Sequence, residues 1–164
     1  MPSPVVLRPT HIHDAEELRK QCWPDRPPQA ISTLLHRAEK LLAQRRGLGA
    51  VALWDDVICG FGMLTIWPQT AEISDLVVSP AHRSNGIGSE IIRFLAQHAA
   101  AMGASILEIG VACSNPRALA LYRRLGFVDH HMIEVDLGNG PEAVLYLHKQ
   151  LLSPQNHHSE LAPR

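Results

Sequence analysis

The stretch from Ala71 to Met102 constrains the fold most, because the period of its apolar residues changes partway along. Ala71 to Val78 reads A-E-I-S-D-L-V-V, rich in β-branched residues, and stops at Ser79-Pro80 as an extended segment does. From Gly86 onward Ile91, Ile92, Leu95, Ala96, Ala99 and Met102 fall on one stripe of an amphipathic helix. Between the two lies Arg83-Ser84-Asn85-Gly86-Ile87-Gly88, an R-x-x-G-x-G loop that feeds the helix. Glycines there let backbone approach a ligand, and the free N–H groups of the first turn face an anion. A strand, a glycine loop and a helix start of this composition predict a phosphate site.

Two familiar phosphate loops are excluded by spacing. A dinucleotide loop needs G-x-G-x-x-G, and Ile91 occupies the third glycine position. A Walker loop needs G-K-[ST], which is absent here.

The remainder of the chain supplies the partners for this unit. Val5 to Arg8 predicts a short strand ended by Pro9, and Thr10 and Asp14 are cap candidates for a helix carrying Ala15, Leu18 and Cys22. Trp23 to Pro28 breaks it. A second helix, from Gln29 to Arg46, carries Ile31, Leu34, Leu35, Ala38, Leu41 and Leu42 in one stripe, with Gly47 as its left-handed stop. Ala50 to Trp54 and Val57 to Trp67 form strands about Asp55-Asp56, with Gly60 and Gly62 marking a bulge or close backbone approach. Ser105 to Val111 is another apolar strand. Asn115 before Pro116 reads as an N-cap with proline at N1, opening a helix with Ala118, Leu121, Tyr122 and Leu125 on one face and ended by Gly126. Val128 to Leu137 and Ala143 to Lys149 form a hairpin about Gly138 to Pro141, and Ser153 to Arg164 has no apolar period and reads as a disordered tail.

Two stretches together resemble the GNAT superfamily of N-acetyltransferases. One is the R-x-x-G-x-G loop after a central strand. The other is Asn115-Pro116-x-Ala118-x-x-Leu121-Tyr122-x-x-x-Gly126-Phe127. The resemblance covers about Val5 to Leu151. It implies an α/β fold with a mixed sheet in the order β-α-α-β-β-β-α-β-α-β-β, a domain over residues 4–151 and a tail over 152–164. It also implies acetyl-CoA as cosubstrate, no metal, and a small-molecule or peptide amine as acceptor. Backbone groups of Leu76, Val77 and Val78 then hold the pantetheine arm and the acetyl carbonyl. Arg83, Ser84, Asn85, Gly86, Ile87, Gly88 and Ser89 hold the pyrophosphate, and Asn115 touches the cofactor or serves only as a cap. Ser84 departs from the glycine usual at its position, and Asn85 from the common lysine or glutamine. The loop from Trp23 to Pro28 occupies the place of an acceptor wall, or simply connects two helices.

Amine acetylation needs a base for an ammonium of pKa near ~10, donors for an oxyanion, and help for a thiolate whose reference pKa is about 8.5. Glu72 lies eleven residues before Arg83, the offset of the catalytic glutamate in some members of the family. Asp75 competes for the role of base, from the opposite strand face unless a bulge re-aims it. Tyr122 matches the family's general acid toward the sulfur. The alternative to an enzyme is a CoA-binding sensor or regulatory domain without transfer.

Composition narrows the partners. At 164 residues with net charge −1 the chain has no bias toward nucleic acid or an anionic membrane, and no apolar run approaches a span. The N-terminus does not read as a signal peptide. Cys22, Cys59 and Cys113 are odd in number without C-x-x-C spacing, so a reducing cytoplasm is expected. Homodimer formation stays open. Cys113 reads as a small buried residue. Ten histidines include the pairs His11/His13, His130/His131 and His157/His158, none in a zinc-ligand spacing, so all read as surface or core residues. His82 lies beside the phosphate loop and is a candidate helper there.

Overall fold

A computed structural model describes residues 4–136 and 138–151; Leu137 and the expected tail lie outside the described residues. Seven strands and four helices follow in order: β1 (Val6–Pro9), α1 (Ala15–Cys22), α2 (Pro28–Ala43), β2 (Gly47–Trp54), β3 (Val57–Ile66), β4 (Thr70–Val78), α3 (Ile87–Ala101), β5 (Ile106–Ala112), α4 (Pro116–Arg124), β6 (Val128–Asp136) and β7 (Pro141–Gln150). This is the expected element order. The strands form one sheet, β1-β2-β3-β4-β5-β7-β6, in which only β4 and β5 run parallel. The last hairpin slots β7 beside β5 and leaves β6 at the edge.

Two apolar layers hold the sheet. Leu18, Ile31, Leu35 and Ala38 of α1 and α2 pack with Val51, Phe61 and Met63 on one face. Ile87, Ile91, Ile92, Leu95 and Ala99 of α3 pack with Leu48, Leu64, Ala71, Ile73, Leu107 and Ile109 on the other. The helical stripes read from the sequence are therefore the buried faces, except that Leu42 points outward and is exposed. Gly60 and Gly62 mark the close approach expected of them. A Cβ on either would lie within 3 Å of Ile91, so α3 sits directly on β3.

The end of α2 departs from expectation. Arg45, not Gly47, takes the left-handed position (φ 54°), with Arg46 N–H donating to Leu41 O at 2.8 Å and Arg45 N–H to Leu42 O at 3.1 Å. That pairing is a Schellman stop built without glycine. Gly47 instead opens β2 at φ 149°, where a Cβ would stand 2.0 Å from Leu64 O. Gly47→Ala is accordingly expected to destabilise the protein by on the order of 3 kcal/mol or more. Gly138→Ala, strained at φ 106° but in open space, should lose only about 1 kcal/mol. Urea unfolding of the two variants measures the difference.

Asp14 also differs from its expected role. Its carboxylate does not cap α1 but accepts from His11 N–H at 2.8 Å and pairs with the Arg8 guanidinium at 2.8 and 2.9 Å, tying β1 to the first turn. Asp55 and Asp56 form the β2–β3 turn with φ values of 49° and 63°, the all-positive turn that a tight hairpin favours.

Candidate active site

The site begins where β4 stops being a regular strand. Phe61 opposes Val77 and Met63 opposes Ser74, so β4 carries one residue more than β3 between these pairs. The surplus is a bulge at Asp75-Leu76, and Asp75 adopts φ 54° to make it. On its other side β4 pairs with β5 only from Thr70↔Ile106 to Ile73↔Ile109. Beyond that point Gly110, Val111 and Ala112 continue to pair with β7 while Ser74 to Val78 have left β5. The two parallel strands splay, and the β5-facing edge of Leu76, Val77 and Val78 has no strand partner among the described residues. Backbone N–H and C=O groups must be satisfied somewhere. An extended polar chain lying in the splay would satisfy them.

The glycine loop lies at the open end of this splay. After β4 a single turn, Pro80–His82, leads into Arg83, and Gly86 caps α3 in the left-handed region (φ 76°) with open space around it. Ser84 also sits at positive φ (67°), which accounts for glycine as the usual residue at that position. Asn85 Nδ2 donates to the carbonyls of His82 and Arg83 at 3.1 and 3.3 Å, holding the loop shut from within. Arg83 is exposed, Ile87 is buried as an anchor, and Gly88 and Ser89 are half-buried in the first turn of α3. His82 turns from the loop to Ser79, whose Oγ lies 2.7 Å from its Nδ1.

α4 closes the site from beyond β5. Asn115 Oδ1 accepts from Ala118 N–H at 3.2 Å, so the residue is a cap, as expected. Arg117 in the same turn donates to Ser84 Oγ and joins α4 to the phosphate loop. Sequence reasoning missed Arg117 because its partner is 33 residues away. Tyr122 is buried beside Phe127, in the apolar layer that includes Ile87, Ile109 and Val111. Burial pushes its phenol up to about 12, so the hydroxyl keeps its proton throughout the neutral range. Cys113, expected to be buried, is exposed; it lies past the end of β5, with its N–H bonded to Ala143 O at 2.9 Å.

On the α1–α2 side of the sheet β2 and β3 are covered, but Glu72, Ser74, Glu108, Gly110, Tyr146 and His148 are only half-buried. Register puts these residues on one surface. Glu72 lies beside Glu108, Glu108 opposite His148, and Gly110 opposite Tyr146. The Tyr146 ring lies so close over Gly110 that a Cβ there would meet it at 3.0 Å. Burial and then the neighbouring Glu108 carboxylate raise the Glu72 pKa above the usual carboxylate range, with Arg37 of α2 opposing and Asp75 adding to the rise. A carboxylate in that position is a better proton acceptor than a solvated one. Asp75, the competitor, is exposed on the bulge. Trp23, from the loop between α1 and α2, packs edge-on against Phe61 at 5.6 Å, with the Arg26 guanidinium 4.2 Å over its ring.

The edge hairpin contributes a group of residues that the sequence did not bring together. His130, His131 and His148 each place a ring nitrogen within 4.8 Å of the others. Among the described residues no helix is long and apolar enough to cross a membrane.

Comparison with known proteins agrees with this geometry. The chain is 37% identical over 75 residues to a streptothricin acetyltransferase of Streptomyces lavendulae, covering 44% of this chain and 40% of that protein. It is 42% identical over 57 residues to a thialysine N-epsilon-acetyltransferase of Bos taurus, covering 35% and 34%. The matched stretches thus span less than half the length of these two relatives. The fold is shared with yncA of Salmonella typhimurium, solved with its cofactor acetyl-CoA, at a TM-score of 0.73 and 20% identity over 99% of both chains. The family model for the acetyltransferase (GNAT) family matches residues 12–127, more than half of the chain. The bulged, splayed β4, the loop that follows it and the matched residues make this chain a member of the GNAT acetyltransferase family.

Proposed function

We propose that the protein is an acetyl-CoA-dependent N-acetyltransferase acting on a primary amine of a small molecule or peptide. The parting of β4 from β5 immediately before a glycine loop carries this reading. It supplies a strand edge for an extended amide-containing arm and a helix start for its phosphates. The amides from Arg83 to Ser89 take the pyrophosphate, and Arg117 adds a cation beside Ser84. Leu76, Val77 and Val78 pair with the pantetheine arm and direct backbone N–H at the thioester oxygen.

Chemistry then follows from three groups. Glu72 accepts a proton from the arriving ammonium, and the amine nitrogen attacks the thioester carbon. The oxyanion that forms is held by β4 backbone donors in a partly dry site. As the C–S bond breaks, Tyr122 stabilises the departing thiolate. Burial raises the phenol to about 12 and would raise a thiol leaving in the same pocket as well, so the Tyr122 hydroxyl keeps its proton until charge collects on sulfur. The amines named for similar proteins, thialysine N-epsilon among them and the alanine of ribosomal protein S18 for an Escherichia coli neighbour of the same fold, support an acceptor amine without choosing one.

Acetyl-CoA is expected to raise thermal stability by mass action, by about 2.7 kcal/mol at a hundredfold excess over Kd. Gly86→Val tests the loop. A branched side chain at φ 76° should cost about 1–3 kcal/mol of stability and block the pyrophosphate, so the shift with acetyl-CoA should vanish. An unchanged acetyl-CoA affinity in this variant, measured by calorimetry, would remove the loop from the binding site.

A further inference from the structure

The hairpin of β6 and β7 contains a second bulge. Asp129 pairs with Leu147 and His131 with Tyr146, so His130 is the extra residue on β6. Consecutive strand residues ordinarily face opposite sides, and a bulge of this kind lets two neighbours face the same side. His130 and His131 consequently share the open face of the sheet with His148. The His130 ring stacks on His148 at 3.8 Å, and the His131 ring stands at 85° to His130 at 5.0 Å. The Nδ1 atoms of His130 and His131 lie 2.8 Å apart.

We propose that His130, His131 and His148 bind a divalent ion of the zinc class, with Glu108 holding His148 in place. Imidazole nitrogens are the common ligands of such ions, and three of them leave one position of a tetrahedron open. Two nitrogens on a tetrahedral zinc ion stand about 3.3 Å apart at ordinary bond lengths. The Nδ1 atoms of His130 and His131, 2.8 Å apart in a hydrogen bond, need part by only about 0.5 Å to reach that spacing, and one ring nitrogen of each of the three histidines lies within 4.8 Å of the others. His148 Nε2 meets Glu108 Oε2 at 2.6 Å, which leaves Nδ1 to face the ion. A carboxylate behind a ligating histidine fixes both its tautomer and its orientation. Binding requires the His130 ring to turn out of its stack on His148, so that its lone pair points into the shared space. His130 and His131 are exposed, so the turn meets little resistance.

The ligands come from two strands and the supporting carboxylate from a third. A bound ion would staple the edge strand β6 to β7 and β5, where β6 otherwise presents Val128 and Met132 to solvent. Metal binding to the folded chain alone raises its stability. The site adjoins the proposed base, because Glu108 lies beside Glu72 in register, but its readouts are metal binding and stability and do not rest on acetyl transfer.

The test uses the full chain without an affinity tag, freed of metal by chelation. Zinc titration by calorimetry should give one ion per chain, cobalt should give the visible absorption of a tetrahedral site, and zinc should raise the melting temperature. The double variant His130→Ala/His131→Ala should keep its fold by circular dichroism and lose all three signals. Glu108→Gln should weaken zinc by about 10–100-fold. His157→Ala/His158→Ala, which removes the remaining histidine pair near the C-terminus, should change nothing. Absence of zinc binding in the parent, or binding that survives the His130/His131 double variant, would overturn the assignment. So would binding that disappears with His157 and His158.

Discussion

Glu72→Gln is expected to lower acetyl transfer at neutral pH by about 10²–10⁴-fold, the usual worth of a general base. The loss should shrink as pH rises toward the amine's own pKa, where free amine is present without help. The parent's rate should fall on the acid side with an apparent pKa above that of an ordinary glutamate, because burial and Glu108 hold the Glu72 carboxyl up. This limb should be absent from the variant. Stability should move the opposite way. A carboxyl whose folded pKa is raised binds its proton more tightly in the fold than in the unfolded chain. Its ionisation therefore works against folding above that pKa, and the neutral glutamine removes the conflict. At neutral pH the variant should melt at the parent's temperature or above it. Full activity in Glu72→Gln would move the base to Asp75 on the bulge or to water.

Tyr122→Phe should lower turnover by about 10²-fold, the loss seen when one preorganised donor to a developing anion is removed. Because Tyr122 is buried against Phe127 and its neighbours, the phenylalanine ring keeps the packing, and stability should change by no more than about 1 kcal/mol. Acetyl-CoA affinity should hardly change, since the hydroxyl matters mainly as sulfur gains charge. The loss should be smaller for acyl donors whose thiols are more acidic, because those thiolates leave unaided. Equal losses for all donors would assign Tyr122 to packing.

What the sequence disclosed was local. Strand, loop and helix from Ala71 to Met102 follow one another without interruption, so period and punctuation alone place the glycine loop and the α3 stripe, and the family resemblance singles out Glu72 on the strand. Asn115 as a cap and Tyr122 on an apolar face were legible for the same reason. Pairing between distant strands was not. The family resemblance implies a bulged central strand that splays from its neighbour, but the place of the bulge at Asp75 depends on the register of β4 against β3. The splay depends on where β5 stops following β4. Glu108 beside Glu72, which raises the proposed base, lies 36 residues along the chain and arrives through a parallel register with no signature in either segment.

The errors have the same origin. Gly47 looked like the helix stop because glycine prefers positive φ. Close contact with Leu64 O demands it more strongly at the start of β2, and Arg45 takes the left-handed turn. Cys113 looked buried because it extends an apolar strand, but the strand ends one residue earlier. The nearness of His148 to His130 and His131 is no error of this kind, since no local spacing carries it and it arises only through a hairpin with a bulge in it.

The central claim is that the splay between β4 and β5 holds acetyl-CoA for transfer to an amine. It is tested most directly by incubating the protein with acetyl-CoA and a panel of primary amines, following thiol release while binding is measured in parallel by calorimetry. Saturable acetyl-CoA binding, with thiol release that depends on one class of amine and disappears in Glu72→Gln, is the expected result. Tight binding with no amine-dependent release would contradict it and leave a CoA-binding sensor.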